Sequence, residues 1–257
     1  RLEKQVAYLD SHTELGLLGT AFHVLDDHGQ HSATHRQPAH DTEIRWRMLF
    51  QCAFCHTSVM FRRALVGPDK PFYNESMTYS QDYDRWARLL EQTRGANLVE
   101  PLVAWRERAG SITSTHRVEQ EQAANYVSAD AISKLLPNKH LSVDEIATLR
   151  RWYHRFTEKL SREDAELCLV LLELLDAFEA QPDVDARIVR GIGRTWVKRM
   201  LDAADLDYFK EVWGSGLLRA MVQSSAWTVW SYPMRLALRP LRQLLRSWKL
   251  ALACLCL

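Results

Sequence analysis

The hydrophobic pattern of residues 1–116 alternates between helical and strand-like spacing, which restricts the fold more than any single motif does. Apolar residues recur at helical spacing in Leu2–Asp10, Asp41–Phe50 and Gln81–Thr93. Short apolar or β-rich runs separate them, at Leu15–Asp26, His56–Arg63 and Ala96–Arg108, the last broken at Pro101. Helices that alternate with strands predict an α/β layered domain.

The remainder of the chain changes character in both pattern and charge. From Val118 to Leu217 the spacing is almost entirely helical, and from Val212 to Leu257 there is no Asp or Glu. We therefore predict a division into an α/β part (1–116), a mainly α-helical region (117–217) and a basic tail (218–257).

Composition excludes several classes of protein. The 33 Lys and Arg nearly balance the 32 Asp and Glu, so no nucleic-acid partner is expected. Five cysteines are too few and too scattered for a disulfide framework, and their odd number favours a reducing compartment. No apolar run reaches the roughly 18 residues of a membrane-spanning helix. The opening "RLEKQVAYLDSH" is typical of the middle of a protein, so we expect a fragment or a processed chain.

The motif Cys52-x-x-Cys55-His56 has the spacing of a c-type haem attachment site. It runs directly into the apolar "TSVMF", where a porphyrin has little room, and no second cysteine pair accompanies it. Haem attachment, a metal or redox site and a pair of packed thiols are the alternatives. Packed thiols are favoured.

Five of the ten histidines lie close together, at positions 23, 28, 31, 35 and 40. Zinc requires ligands in a fixed geometry, and these spacings match no compact ligand pattern. A polar surface loop is the favoured interpretation, with zinc as the alternative.

Asp82 and Asp84 lie near the start of a predicted helix, after the polar "TYSQ". A carboxylate there is stabilised by the helix N-terminus, so capping is the simpler interpretation. The other is a carboxylate facing a cleft and acting as a general base. Spacing alone favours capping.

Four segments, read in order, resemble the later half of a family 2 inverting glycosyltransferase domain of the GT-A fold. They are Arg1–Phe22, Ile44–Arg63, Phe72–Leu90 and Asn97–Thr113, and they agree with the family in order and spacing. The resemblance implies an incomplete GT-A (Rossmann-like) domain over about the first 115 residues, followed by helices. It also implies that the cysteine motif lies on a segment that packs beneath the acceptor.

By this resemblance, Asp82 is the general base that deprotonates the acceptor hydroxyl. Gln81 stands where the family usually has Glu, and Tyr83 and Trp86 would shape the adjacent pocket. His56 and Arg62 are further candidates for substrate binding. Arg108 stands where the family often has His, so no metal or phosphate role is assigned to it.

The resemblance also implies the ligands. The donor would be a nucleotide sugar and the acceptor a glycan or a lipid-linked molecule. A divalent metal, Mg²⁺ or Mn²⁺, would neutralise the leaving diphosphate, with ligands that precede Arg1. No metal ligand is assigned within this chain, and we expect the chain alone to lack transferase activity.

The tail carries a basic stripe. Its charged residues fall at 235, 239, 242, 246 and 249, on one side of a helix that Pro240 would kink and Trp248 flanks. Such a stripe is typical of a helix on an anionic membrane surface, here residues 231–257. The alternative is a helix packed on the domain with solvated arginines.

We therefore expect a cytoplasmic protein, peripheral on the inner face of the cell membrane. The rival hypothesis is a non-catalytic helical interaction or scaffold protein that carries a degenerate transferase remnant.

Overall fold

The computed structural model describes residues 1–67, 71–108, 110–111, 115–155 and 164–203. These residues form an α/β structure, which confirms the predicted class. The strands are β1 (Leu15–Leu25), β2 (His31–His35), β3 (Met60–Phe61) and β4 (Arg94–Arg106). The α-helices are α1 (Leu2–Ser11), α2 (Asp41–Arg47), α3 (Gln81–Leu90), α4 (Arg117–Leu135), α5 (Val143–His154), α6 (Asp164–Glu179) and α7 (Ala186–Ala203).

Strand β1 is the centre of the sheet. It pairs in parallel with β4 on one side and antiparallel with β2 and β3 on the other. The first seven residues of β1 are buried, so the run beginning at Leu15 forms the buried strand that its composition predicts. The helices predicted at Leu2–Asp10, Asp41–Phe50 and Gln81–Thr93 are confirmed as α1, α2 and α3.

Two predicted strands differ from the observed ones. Strand β4 does not end at Pro101 but continues to Arg106. Proline has no N–H to donate, and the register of β1 against β4 shifts on both sides of Ala21, the residue opposite Pro101. In the predicted segment His56–Arg63 only Met60 and Phe61 form a strand, between two short 3₁₀ turns.

The histidine-rich segment forms a hairpin rather than a loop. His23 lies in β1, while His31 and His35 begin and end β2. Both His23 and His31 hydrogen-bond to the Thr34 hydroxyl, at 2.8 and 2.9 Å. The predicted polar surface segment is therefore correct in exposure and wrong in secondary structure, because a five-residue polar run whose burial does not alternate looks like a loop in the sequence.

The main core lies between the sheet and helices α2, α3 and α4. Its buried residues include Leu17, Ile44, Phe54, Trp86 and Val127. A smaller apolar cluster under α1 consists of Leu9, Leu15, Leu18 and Ala96. Burial of these side chains is the main force that holds the helices against the sheet.

The chain divides into two compact units, residues 1–157 with 177–189, and residues 158–176 with 190–257. The first unit therefore extends past the predicted boundary at residue 116. Arg150 of α5 explains this, because it donates to the carbonyl oxygen of Phe50 at 3.0 Å and pairs with Glu121 of α4 at 2.8 Å. Both helices are thus tied to the α/β part.

In the second unit, the described residues are 164–176 of α6 and 190–203 of α7. Residues of α6 such as Leu171 and Leu174 are fully buried. The predicted basic stripe lies in residues 231–257, outside the described residues. None of the helices that the structure describes has both the length and the apolar character to cross a bilayer.

Gly19 of β1 offers a test of this packing. A Cβ atom there would collide with the Asn97 amide oxygen and come within 2.8 Å of the Phe54 ring. Asn97 cannot move freely, because its amide nitrogen donates to the carbonyl oxygens of Pro38 and Ala53. We expect Gly19→Ala to lower the free energy of unfolding by about 1–3 kcal/mol, as overpacked cores do.

The matched control is Gly67→Ala, since a Cβ at Gly67 meets no atom within 4 Å. Urea denaturation of both variants and the parent chain measures the difference. Equal stability of the two variants would contradict the close approach of β1 and β4 at this point.

Candidate functional site

Helix α3 presents one face to the core and its first turn to the candidate site. Tyr83, Trp86, Leu89 and Leu90 are buried at helical spacing. The residue before the helix, Ser80, adopts the left-handed conformation (φ 54°), and its hydroxyl donates to the Gln120 carbonyl at 3.1 Å. A non-glycine residue in this region is uncommon, and such residues concentrate at functional sites.

Asp82 is the second residue of α3, and its two carboxylate oxygens have different surroundings. Oδ1 accepts the Tyr83 backbone N–H at 2.9 Å, so it satisfies a donor of the first helical turn. Oδ2 faces Nδ1 of His56 at 3.7 Å. One third of the side chain is exposed (33%). The helix N-terminus favours its negative charge.

The carboxylate of Asp84, by contrast, is bound within its own helix. Its Oδ2 accepts from Nε and Nη2 of Arg88 at 2.9 and 2.7 Å, one turn further along α3. Of the two acids in the motif, therefore, Asp82 is the one with a carboxylate oxygen directed at another segment.

The turn that carries His56 is held by hydrogen bonds to β1 and α1. The Ser58 hydroxyl accepts from the Thr20 N–H at 3.1 Å and donates to the Cys55 carbonyl at 2.8 Å. The Gln5 amide donates to the Ser58 carbonyl at 2.8 Å. These contacts fix the backbone beside His56, whose side chain stays half exposed at 51%.

Aromatic rings line the site next to Asp82 and His56. The His56 ring lies 6.0 Å from that of Trp86, between centroids. Phe61 and Phe72 stack at 5.1 Å, and both lie near Trp86, at 6.0 and 6.3 Å. Tyr73 meets Phe72 edge to face at 4.7 Å. Phe61, Phe72, Tyr73 and Trp86 are called the aromatic wall below.

The negative charge of Asp82 acts on two neutral donors nearby. Burial raises the pKa of the Tyr73 hydroxyl, and the carboxylate of Asp82 raises it further. Burial also raises the pKa of the Cys52 thiol to about 12, again with a contribution from Asp82. Both groups stay protonated at neutral pH and remain possible hydrogen-bond donors beside the carboxylate.

The structure brings together some of the residues predicted from sequence and separates others. Asp82 and His56 lie at one surface, with Gln81 partly buried beside them at the start of α3, whereas Trp86 is only 2% exposed and lies in the core against His56. Tyr83 is only 3% exposed, and its hydroxyl donates to the Met48 carbonyl at 2.7 Å. It supports α3 from within the core, so it does not line a pocket.

Arg62 is likewise structural. Its guanidinium donates to the carbonyl oxygens of Leu15 and Leu9, at 2.8 and 2.6 Å, and so joins the end of α1 to β1. These bonds occupy its Nε and Nη2. Sequence reasoning missed three residues of this surface, namely Phe72, Tyr73 and Arg85. Helical spacing from Asp82 points to Arg85, because residues i and i+3 share a face.

The cysteine motif is part of this packing. Cys52 donates weakly to the Phe54 carbonyl at 3.4 Å, Cys55 lies 3.5 Å from the Thr57 hydroxyl, and no disulfide joins them. Among the described residues, no group of three or more His, Cys, Asp or Glu side chains is placed to hold a metal ion. No metal ligand is therefore assigned among these residues.

Comparison with known proteins finds two similar glycosyltransferases. The chain is 30% identical over 131 residues to the amylovoran biosynthesis glycosyltransferase AmsE of Erwinia amylovora, which covers 51% of this chain and 46% of that protein. It is 34% identical over 109 residues to the putative glycosyltransferase EpsE of Bacillus subtilis strain 168, covering 42% and 38%. The match thus spans less than half the length of each relative. No protein-family profile matches the chain.

The raised pKa of Cys52 predicts slow alkylation of this thiol. Because only a thiolate reacts with iodoacetamide, a thiol that titrates at about pH 12 is nearly inert at mildly alkaline pH. We expect Cys52 to stay unlabelled in the folded chain while Cys55 is modified, and both to react in urea. Tandem mass spectrometry of the peptide that contains them gives the ratio. Equal labelling in the folded state would contradict the buried environment.

Proposed function

We propose that this chain carries the acceptor side of an inverting, GT-A-type glycosyltransferase, with Asp82 as the general base. The observation that carries the proposal is the free Oδ2 of Asp82, directed at His56 beside an aromatic wall. The similarity to two proteins named glycosyltransferases supports the same reaction class. A partly exposed carboxylate between an imidazole and aromatic faces suits a sugar hydroxyl.

In the proposed reaction, Oδ2 of Asp82 takes the proton of the acceptor hydroxyl. The acceptor oxygen then forms a bond to the anomeric carbon of the donor sugar, and the bond to the nucleoside diphosphate breaks on the opposite face. The configuration at that carbon is inverted. A positioned carboxylate typically contributes about 10²–10⁴-fold to such a step.

The neighbouring side chains have separate roles in this proposal. His56 lies close enough to Asp82 to hydrogen-bond the same acceptor hydroxyl and orient it. Phe72, which is partly buried, offers a ring against which the apolar C–H groups of a sugar pack, and the buried Trp86 supports that ring from the core. Oδ1 of Asp82, held by the Tyr83 N–H, fixes the carboxylate so that Oδ2 keeps its direction.

The ligands are also part of the proposal. The donor is a nucleotide sugar and the acceptor a glycan or lipid-linked molecule, and the relative from Erwinia amylovora is named for amylovoran biosynthesis. A divalent metal would act on the leaving diphosphate, and its ligands would lie outside the described residues of this chain.

The first test removes the proposed base. In the protein expressed from its own gene, we expect Asp82→Asn to lower sugar transfer by about 10²–10⁴-fold, because the amide cannot accept the proton. Transfer is measured as nucleoside diphosphate release from a panel of nucleotide sugars with an oligosaccharide acceptor.

The control is Asp84→Asn in the same helix. It removes a partly buried ion pair between residues four apart in the helix, which does not contact the proposed base, and transfer should persist. Full activity of Asp82→Asn would refute the assignment. If the parent protein transferred no sugar at all, the rival scaffold hypothesis would be favoured instead.

Membrane association of the tail is a separate proposal. The acid-free basic stripe of residues 231–257 would place the protein on the inner, anionic leaflet, near a lipid-linked acceptor. We expect the full chain to float with vesicles rich in anionic lipid, and a chain without these residues to stay in solution. Equal flotation of the two, or its persistence with neutral lipid, would count against the proposal.

A further inference from the structure

Arg85 is a buried arginine with no charged or hydrogen-bonded partner among the described residues. The residue is 7% exposed, and its buried Nε has no hydrogen-bond partner in the described part of the chain. The guanidinium carbon lies 4.2 Å above the centre of the Phe72 ring. The closest acid in its own helix, Asp84, is already bound to Arg88.

This arrangement is costly unless something else compensates. A buried charge normally has a counter-ion and saturated hydrogen bonds, because transfer out of water without them costs several kcal/mol. A cation–π contact recovers about 0.5–2 kcal/mol of that cost. Burial lowers the pKa of Arg85 and the nearby Arg88 lowers it further, and together they outweigh the opposite effects of Asp84 and Tyr73.

Arg85 belongs to the same surface as Asp82. The two residues are three apart in α3 and therefore lie on neighbouring positions of one helix face. The charges of both act on the Tyr73 hydroxyl, since Asp82 raises its pKa and Arg85 lowers it. The Phe72 ring lies under the Arg85 guanidinium and meets the Trp86 ring edge to face at 6.3 Å.

Trp86, the next residue in α3, carries a second unpaired hydrogen-bond donor. The indole N–H of Trp86 is buried and has no hydrogen-bond partner among the described residues. Arg85 and Trp86 thus each carry a buried N–H without a described partner, and both side chains lie near Phe72. A guanidinium is best matched by a planar oxyanion, which accepts two parallel hydrogen bonds.

We propose that Arg85 binds an oxyanion on the acceptor, so that the site takes an acidic acceptor: a sugar carrying a carboxylate or a phosphate. That the bound molecule is the acceptor rests on the proposed function, and that it carries a negative charge rests on Arg85. The oxyanion would lie on the guanidinium one helical turn from Asp82. The reacting hydroxyl of the same acceptor would stay beside the carboxylate.

The experiment measures binding without transfer. The full chain is titrated with D-glucuronate, glucose 6-phosphate and neutral glucose, and the indole N–H signals are followed by NMR. The Trp86 signal is assigned from its absence in Trp86→Phe. We expect the two charged sugars to shift this signal and glucose to do so much more weakly.

Three variants separate the explanations. Arg85→Leu should weaken binding of the charged sugars by about 10- to 100-fold, the value of a hydrogen bond to a charged group. Arg85→Lys should lose part of the affinity, because lysine keeps the charge but lacks the parallel N–H donors of the planar guanidinium. The matched control Arg36→Leu removes an exposed arginine of the same charge and should bind like the parent.

The melting temperature distinguishes a ligand-binding role from a structural one. Replacing an uncompensated buried charge by leucine should leave the melting temperature unchanged or raise it. A large fall for Arg85→Leu would mean that the guanidinium has a partner within the protein and would overturn the proposal. So would equal binding of glucose and glucuronate, no binding of either charged sugar, or unchanged binding by Arg85→Leu.

The result also separates this inference from the proposed function. If Arg85→Leu loses charged-sugar binding while Asp82→Asn transfers sugar normally, the oxyanion site stands and the catalytic proposal fails. If Asp82→Asn alone abolishes transfer and Arg85→Leu binds like the parent, only the oxyanion site fails. Preference for glucuronate over glucose 6-phosphate identifies an acidic sugar as acceptor, and the reverse preference identifies a phosphate-bearing one.

Discussion

The buried strand β1 is the constraint on which the rest of the first unit depends. A strand with seven consecutive buried residues must satisfy its backbone groups within the protein, and over this stretch β4 pairs along one side and β3 along part of the other. The same strand also holds the segment that carries His56. The N–H of Thr20 is bonded to Ser58, two residues after His56, and Arg62 ties the other end of that segment to Leu15.

Whether an unpaired hydrogen-bond donor indicates a ligand depends on its charge and on its neighbours. The indole N–H of Trp46 also has no partner among the described residues, yet it lies in the core against Phe50 and Phe178. An unpaired indole alone therefore indicates no ligand. Arg85 differs because its charge cannot be relieved by packing, and because Asp82, the proposed base, lies on the same helix face.

The elements of this fold follow from periodicity more readily than the roles of its polar side chains. Amphipathic spacing predicts α1, α2 and α3, and the apolar run predicts β1. The short polar β2 escapes this reasoning because its burial does not alternate. The sequence predicted Tyr83 and Arg62 at the pocket, but they hydrogen-bond to Met48, Leu9 and Leu15. These partners are distant in sequence, so no local pattern reveals them. Arg85 was missed because a charged helical residue is usually solvated.

Capping and catalysis, which spacing presents as alternatives for Asp82, are compatible in three dimensions. A carboxylate has two oxygens, and at Asp82 one accepts the Tyr83 N–H while the other faces His56. The capping bond restricts rotation of the side chain, which is what a positioned base requires. The Asp84 carboxylate shows the contrast, since the oxygen that Arg88 binds is held along the helix and toward no other segment. The same residue type, two positions later, is thereby committed to helix stability alone.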